Sequence, residues 1–339
     1  MQLLSSLLDN SQAHVQDNTY YKKYLKYKSK YLSKLSDINI LNFINWFNQN
    51  NGTSLLQIKK NATYGRETFS KTDIQKDTNL LEIPPQLLIT TELFDQFNIN
   101  DYTKNNNKLT FLLMYFKKMN KFTEYISILP KSFASIPLSW DESQLDIIKN
   151  TSIYNKVIEK KTTLDKDYED LFKLMKHILP FTKKEYLWAR LCVNSRNFSI
   201  TKGGKSMNCL TPFADMLNHS RNQNTKWFFD NSINKFVLKA TKFIPQNSIV
   251  TDTYGTRDAK TYLIWYGFFP KDLHTLNING STLSLNKKEN INQITKDKLL
   301  KQLSILQSDY DKYSKLNDDK YKEPLDILKT EIDILKNNI

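Results

Sequence analysis

The hydrophobic period of this chain changes twice, and any fold it adopts has to accommodate both changes. From Ser54 to Thr90, short β-prone runs (Leu55–Ile58, Thr68–Ser70 and Asn79–Ile83) are broken by polar turns and stop at Pro84-Pro85. Residues 91–200 then read almost wholly as helix. Within them Leu109–Phe116 is nearly all apolar, which predicts a buried helix. Lys183–Phe198 predicts another, with Tyr186, Leu187, Arg190, Leu191 and Asn194 on related faces. Between 207 and 255 the extended pattern returns in Lys226–Phe229, Lys235–Lys239 and Ser248–Tyr254. Strands, a long helical stretch and strands again predict an α+β fold, a β-rich core split by helices, rather than a doubly wound α/β sheet.

The flanks are simpler. Residues 1–19 are polar and irregular and read as a loose tail. Tyr20, Tyr24, Tyr27 and Tyr31 step by helical spacings among lysines, so residues 20–32 predict a basic helix with a tyrosine face. That helix either docks on the body of the protein or meets an anionic surface or partner. Ser36 or Asp37 caps a helix through Ile40, Leu41, Ile44 and Phe47, which ends at Asn50-Asn51-Gly52. Asp258 caps a short helix to Tyr266. Residues 286–339 are Leu/Ile-periodic and highly charged, which predicts two surface helices.

Composition removes several classes. No apolar run approaches the roughly 18 residues of a membrane span. The first residues lack the basic start and apolar stretch of a secretory signal, so an intracellular protein, cytoplasmic or nuclear and not secreted, is expected. Cys192 and Cys209 are the only cysteines, too few for a disulfide framework or a cysteine zinc cluster. The four histidines, His14, His177, His219 and His274, are too scattered for a zinc-protease site, and no metal is expected. With 7 glycines the chain is poorly supplied for a dinucleotide fold. Thr201–Ser206 ends like a phosphate loop, but Ser199 stands where its first glycine should be. The net charge of +14 invites a nucleic-acid partner. The chain is rich in Lys, Asn, Ile and Tyr and poor in arginine, the better reader of phosphates and bases, so nucleic acid is not the expected ligand.

One segment stands out: Leu210-Thr211-Pro212-Phe213-Ala214-Asp215-Met216-Leu217-Asn218-His219-Ser220, an apolar stretch ending where the chain turns. About 35 residues later Thr251-Asp252-Thr253-Tyr254-Gly255 presents a tyrosine at a strand end. Here the sequence resembles the SET-domain family, in particular the branch of the plant Rubisco large-subunit lysine methyltransferase. That branch carries a helical insertion and lacks cysteine-rich flanks. Three further matches follow the family's order: Tyr64-Gly65-Arg66 resembles its opening turn, Ser195-Arg196-Asn197-Phe198 the end of its insertion, and Tyr254-Gly255 with Tyr266-Gly267-Phe268 its closing tyrosine segment. The resemblance spans roughly 37–280. It implies a β-rich SET fold with a helical insertion and a short helical C-terminal part. Its divisions are a tail and basic helix (1–36), the first part of the SET domain (37–90), the insertion (91–200), the second part (201–280) and a helical C-terminal region (281–339).

The resemblance also implies an activity: methyl transfer from S-adenosyl-L-methionine to a protein side chain, lysine first and histidine as an alternative, by a monomer. Such a transfer is an in-line displacement that needs aligned reactants and an uncharged amine, and neither metal nor covalent enzyme intermediate. Under it, Asn218 and His219 hold the cofactor, largely through backbone groups, and Tyr64, Gly65 and Arg66 form a turn against its other side. Arg196 reaches its carboxylate or shapes the channel. Tyr254 is both a cofactor contact and the catalytic residue, placing its phenol beside the methyl. Phe198 and Tyr266 wall the lysine channel, and Asp215 lies on the substrate side. Two positions depart from the family: Glu67 replaces the second glycine of the opening turn, and Ala259 stands where Asn is usual, with Asp258 available as a helix cap. A catalytically inactive SET scaffold that binds a protein partner is therefore the alternative from another class.

Overall fold

A computed structural model describes residues 26–27, 37–61, 65–99, 102, 104–269, 275–284, 291–316 and 318–339. Of the basic tyrosine segment only Lys26 and Tyr27 fall within these, and both are helical. The rest of that expectation, and Tyr64 of the opening turn, lie outside the described residues.

The first helix, α1 (residues 37–49), buries Phe43 and Phe47 completely. It stops because Asn51 takes φ 62° and Gly52 follows, its amide donating to the Phe47 carbonyl at 3.0 Å. A Cβ on Gly52 would lie 2.5 Å from the Phe47 ring, so no other residue fits there without moving the helix.

Among the described residues, eleven short strands then build the core in three sheets. β1 (Thr53–Ser54), β4 (Asn79–Ile83), β10 (Lys235–Ala240) and β9 (Thr225–Asp230) make the first, in that order. β2 (Leu56–Asn61), β3 (Gly65–Ser70), β11 (Ile249–Asp252) and β8 (Asn218–His219) make the second. β5 (Ile89–Thr90), β7 (Lys205–Leu210) and β6 (Asn197–Lys202) make the third. β6 and β7 form a hairpin closed by Gly203 and Gly204, at φ 55° and 78°, the two left-handed positions of a type I′ turn. The phosphate-loop likeness of this stretch is thus a hairpin.

The stretch between the strands carries α2 (Asn105–Lys118), α3 (Thr123–Ile128), α4 (Glu142–Ile147), α5 (Tyr154–Met175) and α6 (Lys183–Arg196). α2 is buried as its composition predicts: Leu109, Phe111, Leu112, Leu113, Met114 and Phe116 all lie in the main core. α6 opens with a reciprocal Thr182/Glu185 capping box. Extended chain resumes at Asn197, so Arg196 is the hinge between helix and strand.

After the core come α7 (Ala259–Tyr266), a hairpin of β12 (Thr275–Ile278) and β13 (Ser281–Ser284), then α8 (Gln293–Tyr313) and α9 (Lys322–Asn338). The two last helices are not mere surface. Leu299, Leu306, Leu328, Ile332 and Leu335 form a small core of their own with the hairpin.

Candidate active site

β7 delivers the chain into Pro212-Phe213, where Phe213 takes φ 80°, ψ −50°, a conformation that costs a non-glycine residue free energy. Packing holds it there: the Phe213 ring is 5.2 Å from Phe47 and 5.8 Å from Phe43. One turn of 3-10 helix (Ala214–Met216) follows and points Asp215 inward. β8 then pairs parallel with β11, Asn218 opposite Thr251 and His219 opposite Asp252.

Asp215 is the electrostatic centre of this arrangement. The buried Tyr125 hydroxyl donates to its Oδ2 at 2.7 Å, and Arg196 Nη1 donates to its backbone carbonyl at 2.6 Å while standing 3.7 Å from Oδ2. Burial pushes the Asp215 carboxyl above its ordinary range, opposed by Arg196 and Tyr125. Burial works most strongly against the Arg196 charge, but Asp215, Tyr125, Cys192 and Tyr254 together outweigh it, and Arg196 titrates above its usual value. Arg66 is compensated only in part: burial, then the nearby Arg196, lower it to about 10, against a smaller opposing pull from Asp215. Its guanidinium donates to the Ile128 carbonyl, and its backbone carbonyl accepts from Asn218 Nδ2 at 3.0 Å.

Tyr254 is fixed from three sides. Its amide donates to His219 Nδ1 at 3.1 Å, so that nitrogen is the unprotonated one. Its hydroxyl donates to the Leu217 carbonyl at 2.8 Å, and its ring stacks on Tyr266 with centroids 4.8 Å apart. Burial raises the phenol's pKa above its ordinary value, so it stays neutral near pH 7. Tyr262 packs against His219 from behind, and its hydroxyl donates to the Gly255 carbonyl. Asp258 caps α7, accepting from the Thr261 amide at 2.7 Å, and Ala259 is simply the buried first residue of that helix. α7 ends at Gly267, with φ 77°, where a Cβ would meet Ser135 Oγ at 2.4 Å. A side chain here would push the helix off the 130–136 segment.

These groups line one cleft of about 630 Å³. Gly65, Arg66, Asn218, Arg196, Asp215, Tyr254 and Tyr266 line it together, with Pro130 and residues 132–136 completing the wall. His219 supports Tyr254 from behind rather than lining the cleft. Phe198 is placed elsewhere, which corrects the expectation that it walls a channel. Its ring sits 5.2 Å from Trp227 and 5.5 Å from Phe236, on the core side of β6. Glu67, the departure from the family's second glycine, sits in the ladder opposite Lys59 and needs no special backbone. Sequence reasoning missed Tyr125, segment 130–136 and Glu323 of α9, all contributed by remote elements.

Residues 65–255, more than half of the chain, match the SET domain family. The chain belongs to that family. This SET-domain protein is 26% identical over 241 residues to SET domain-containing protein 8 of Schizosaccharomyces pombe, covering 65% of this chain and 55% of that one. It is 24% identical over 210 residues to Ribosomal lysine N-methyltransferase set11 of the same yeast, covering 60% and 54%. The chain thus spans about half the length of the curated relatives it matches. Among solved structures, the SET domain of LSMT bound to lysine and AdoHcy superposes with a TM-score of 0.67 at 14% identity, covering 88% of this chain and 90% of that one. Rubisco LSMT bound to AdoMet gives 0.65 at 14% identity, again covering 88% and 90%. The likeness to both is one of fold, and it extends well beyond the matched domain.

Among the described residues no helix is long and apolar enough to cross a membrane, and no His/Cys/Asp/Glu group could hold a metal ion.

Proposed function

We propose that this SET-domain protein transfers a methyl group from S-adenosyl-L-methionine to the side-chain amine of a protein lysine. The observation that carries this reading is a single cleft lined by two guanidiniums, a buried carboxylate and the stacked pair Tyr254 and Tyr266. Relatives named as ribosomal lysine N-methyltransferases support lysine over histidine as acceptor.

The residues present fit the cofactor. Arg66 and Arg196 leave an excess positive charge that a carboxylate would offset, and Arg196 Nε and Asp215 Oδ1 are buried without a hydrogen-bond partner. Gly65, at φ 74°, carries no side chain and has open space where a Cβ would stand, which permits close backbone approach. When bound, S-adenosylmethionine supplies an electrophilic methyl on a sulfonium. The chain's own residues do the rest. A free lysine titrates near ~10.4, and packing its amine against Tyr254, Tyr266 and Phe268 disfavours the charged form. Tyr254 has already committed its hydroxyl hydrogen to Leu217, so it offers lone pairs to the partial positive charge of the transfer. Asn218 locks the Arg66 backbone, which keeps that residue in register with the tyrosines.

In this reading 37–90 and 201–280 are the two halves of the SET core, 91–200 walls the cleft, and 281–339 adds Glu323 at its rim. Two free, buried cysteines suit a reducing compartment, cytoplasmic or nuclear. Calorimetric titration with S-adenosylmethionine, followed by incubation with labelled cofactor and a lysate of the host, tests the whole reading. Binding, with label recovered on lysine, is expected. No binding, as an inactive scaffold would give, overturns it.

A further inference from the structure

A second concavity, about 540 Å³, lies on the helical insertion between the end of α2, α3 and the start of α6. Four lysines line it, Lys117, Lys121, Lys131 and Lys184, and none has a carboxylate partner among the described residues. Its one acidic liner, Glu185, is already engaged, accepting from the Thr182 amide at 2.8 Å and standing 3.6 Å from Lys118. Four ammoniums against one carboxylate around a single groove leave a net positive local potential.

The groove shares a wall with the cleft. Lys131 lines the groove, while its neighbours Pro130 and Ser132 line the cleft. Trp188 ties the two together, lining the groove and donating its indole N–H to the Pro130 carbonyl at 2.8 Å. One face of that indole is covered by the Lys117 ammonium at 4.0 Å. Among the described residues Trp188 is the only aromatic residue lining the groove and one of its faces is taken, and the cations are lysines rather than arginines, the better readers of nucleic acid. These features favour an acidic peptide over nucleic acid as the occupant.

We propose that this groove docks an acidic stretch of the protein substrate while its acceptor side chain enters the neighbouring cleft, an inference that rests on the methyl-transfer reading. A fluorescein-labelled oligoglutamate peptide should bind the full chain in fluorescence anisotropy, with affinity that falls as salt rises. Lys117→Glu/Lys121→Glu/Lys131→Glu should lose that affinity by roughly tenfold or more. Lys298→Glu/Lys301→Glu/Lys315→Glu, at exposed positions on and just after α8, reverses the same number of charges and should keep it. In lysate labelling, excess oligoglutamate should lower label transfer by the parent. Three results overturn the proposal: binding unchanged by the groove reversal, tighter occupation of the groove by a single-stranded oligoribonucleotide, or label transfer indifferent to oligoglutamate. Absence of cofactor binding to the parent would instead sink the methyl-transfer reading, and the anisotropy result would still stand on its own.

Discussion

Tyr254 donates to Leu217, stacks on Tyr266 and takes its backbone direction from His219, so its ring is held whether or not its hydroxyl contributes to chemistry. Tyr254→Phe should therefore lower single-turnover methyl transfer by roughly 10²-fold, about 2.7 kcal/mol, while cofactor affinity and melting temperature change little. Turnover at the parent rate would remove Tyr254 from the catalytic role. Asn218→Ala cuts the bond to the Arg66 backbone carbonyl and should weaken cofactor binding by roughly tenfold, the upper end of what one neutral hydrogen bond is worth. Calorimetry on the folded variant checks it, and unchanged affinity would mean that Arg66 needs no such lock. That Arg66, Arg196, Asp215, Asn218 and Tyr254 meet in one cleft was legible because each sits in a short motif whose neighbours fix its local geometry. Tyr125 and Glu323 were not, since a helix residue gives no local sign of the distant side chain or cleft it meets. Phe198 misled because alternation along β6 sets its side chain on the core side, a direction that no motif carries.

α7 owes its position to its ends. Asp258 starts it, and Gly267 stops it against Ser135, where both the left-handed φ and the lack of a Cβ are required. Gly267→Ala should destabilise the protein by about 1–3 kcal/mol and also weaken cofactor binding, because segment 130–136 must retreat from the cleft. A variant with parent melting temperature and parent affinity would show that this contact tolerates a methyl group. Buried α2 and capped α6 were readable from apolar run and periodicity. The β12–β13 hairpin carries its own local signal in Asn279-Gly280, at φ 50° and 84° between short β-prone runs, beside the charged, Leu/Ile-rich helices that follow.

The C-terminal helices close over a buried polar contact. Glu331 of α9, 1% exposed, accepts the Ser152 amide at 2.9 Å on both oxygens, yet burial raises its pKa to about 7. The raised value fixes the sign. Stability from this group is fully present below its unfolded pKa of 4.5 and is lost as pH rises through about 7, by on the order of 3 kcal/mol at most. Asp252, raised to about 6 by burial, slopes the same way. Melting temperature should therefore fall between about pH 5 and 8, and Glu331→Gln should flatten part of that fall. Coincident parent and variant curves would assign the slope elsewhere.

The ladder between β3 and β11 joins residues far apart in the chain: Thr68 Oγ1 donates to the Val250 carbonyl, 182 positions away. Closing a chain segment of that length costs on the order of 4–5 kcal/mol of entropy before any strand contact returns it. The helices between them form through local contacts, and the packing of α2 on α6 closes a shorter segment, Tyr186 meeting Asn107 across 79 positions. Folding should accordingly run in two stages, amide protection in α2 and α6 appearing before that in β3, β8 and β11 in pulsed hydrogen exchange, and simultaneous protection would argue against this order. On a ribosome the consequence is sharper, since the insertion can collapse while the strand that completes the site has yet to be translated. For that interval the protein is a folded helical lobe attached to an unfinished catalytic centre, with the apolar faces of the first strands waiting for partners.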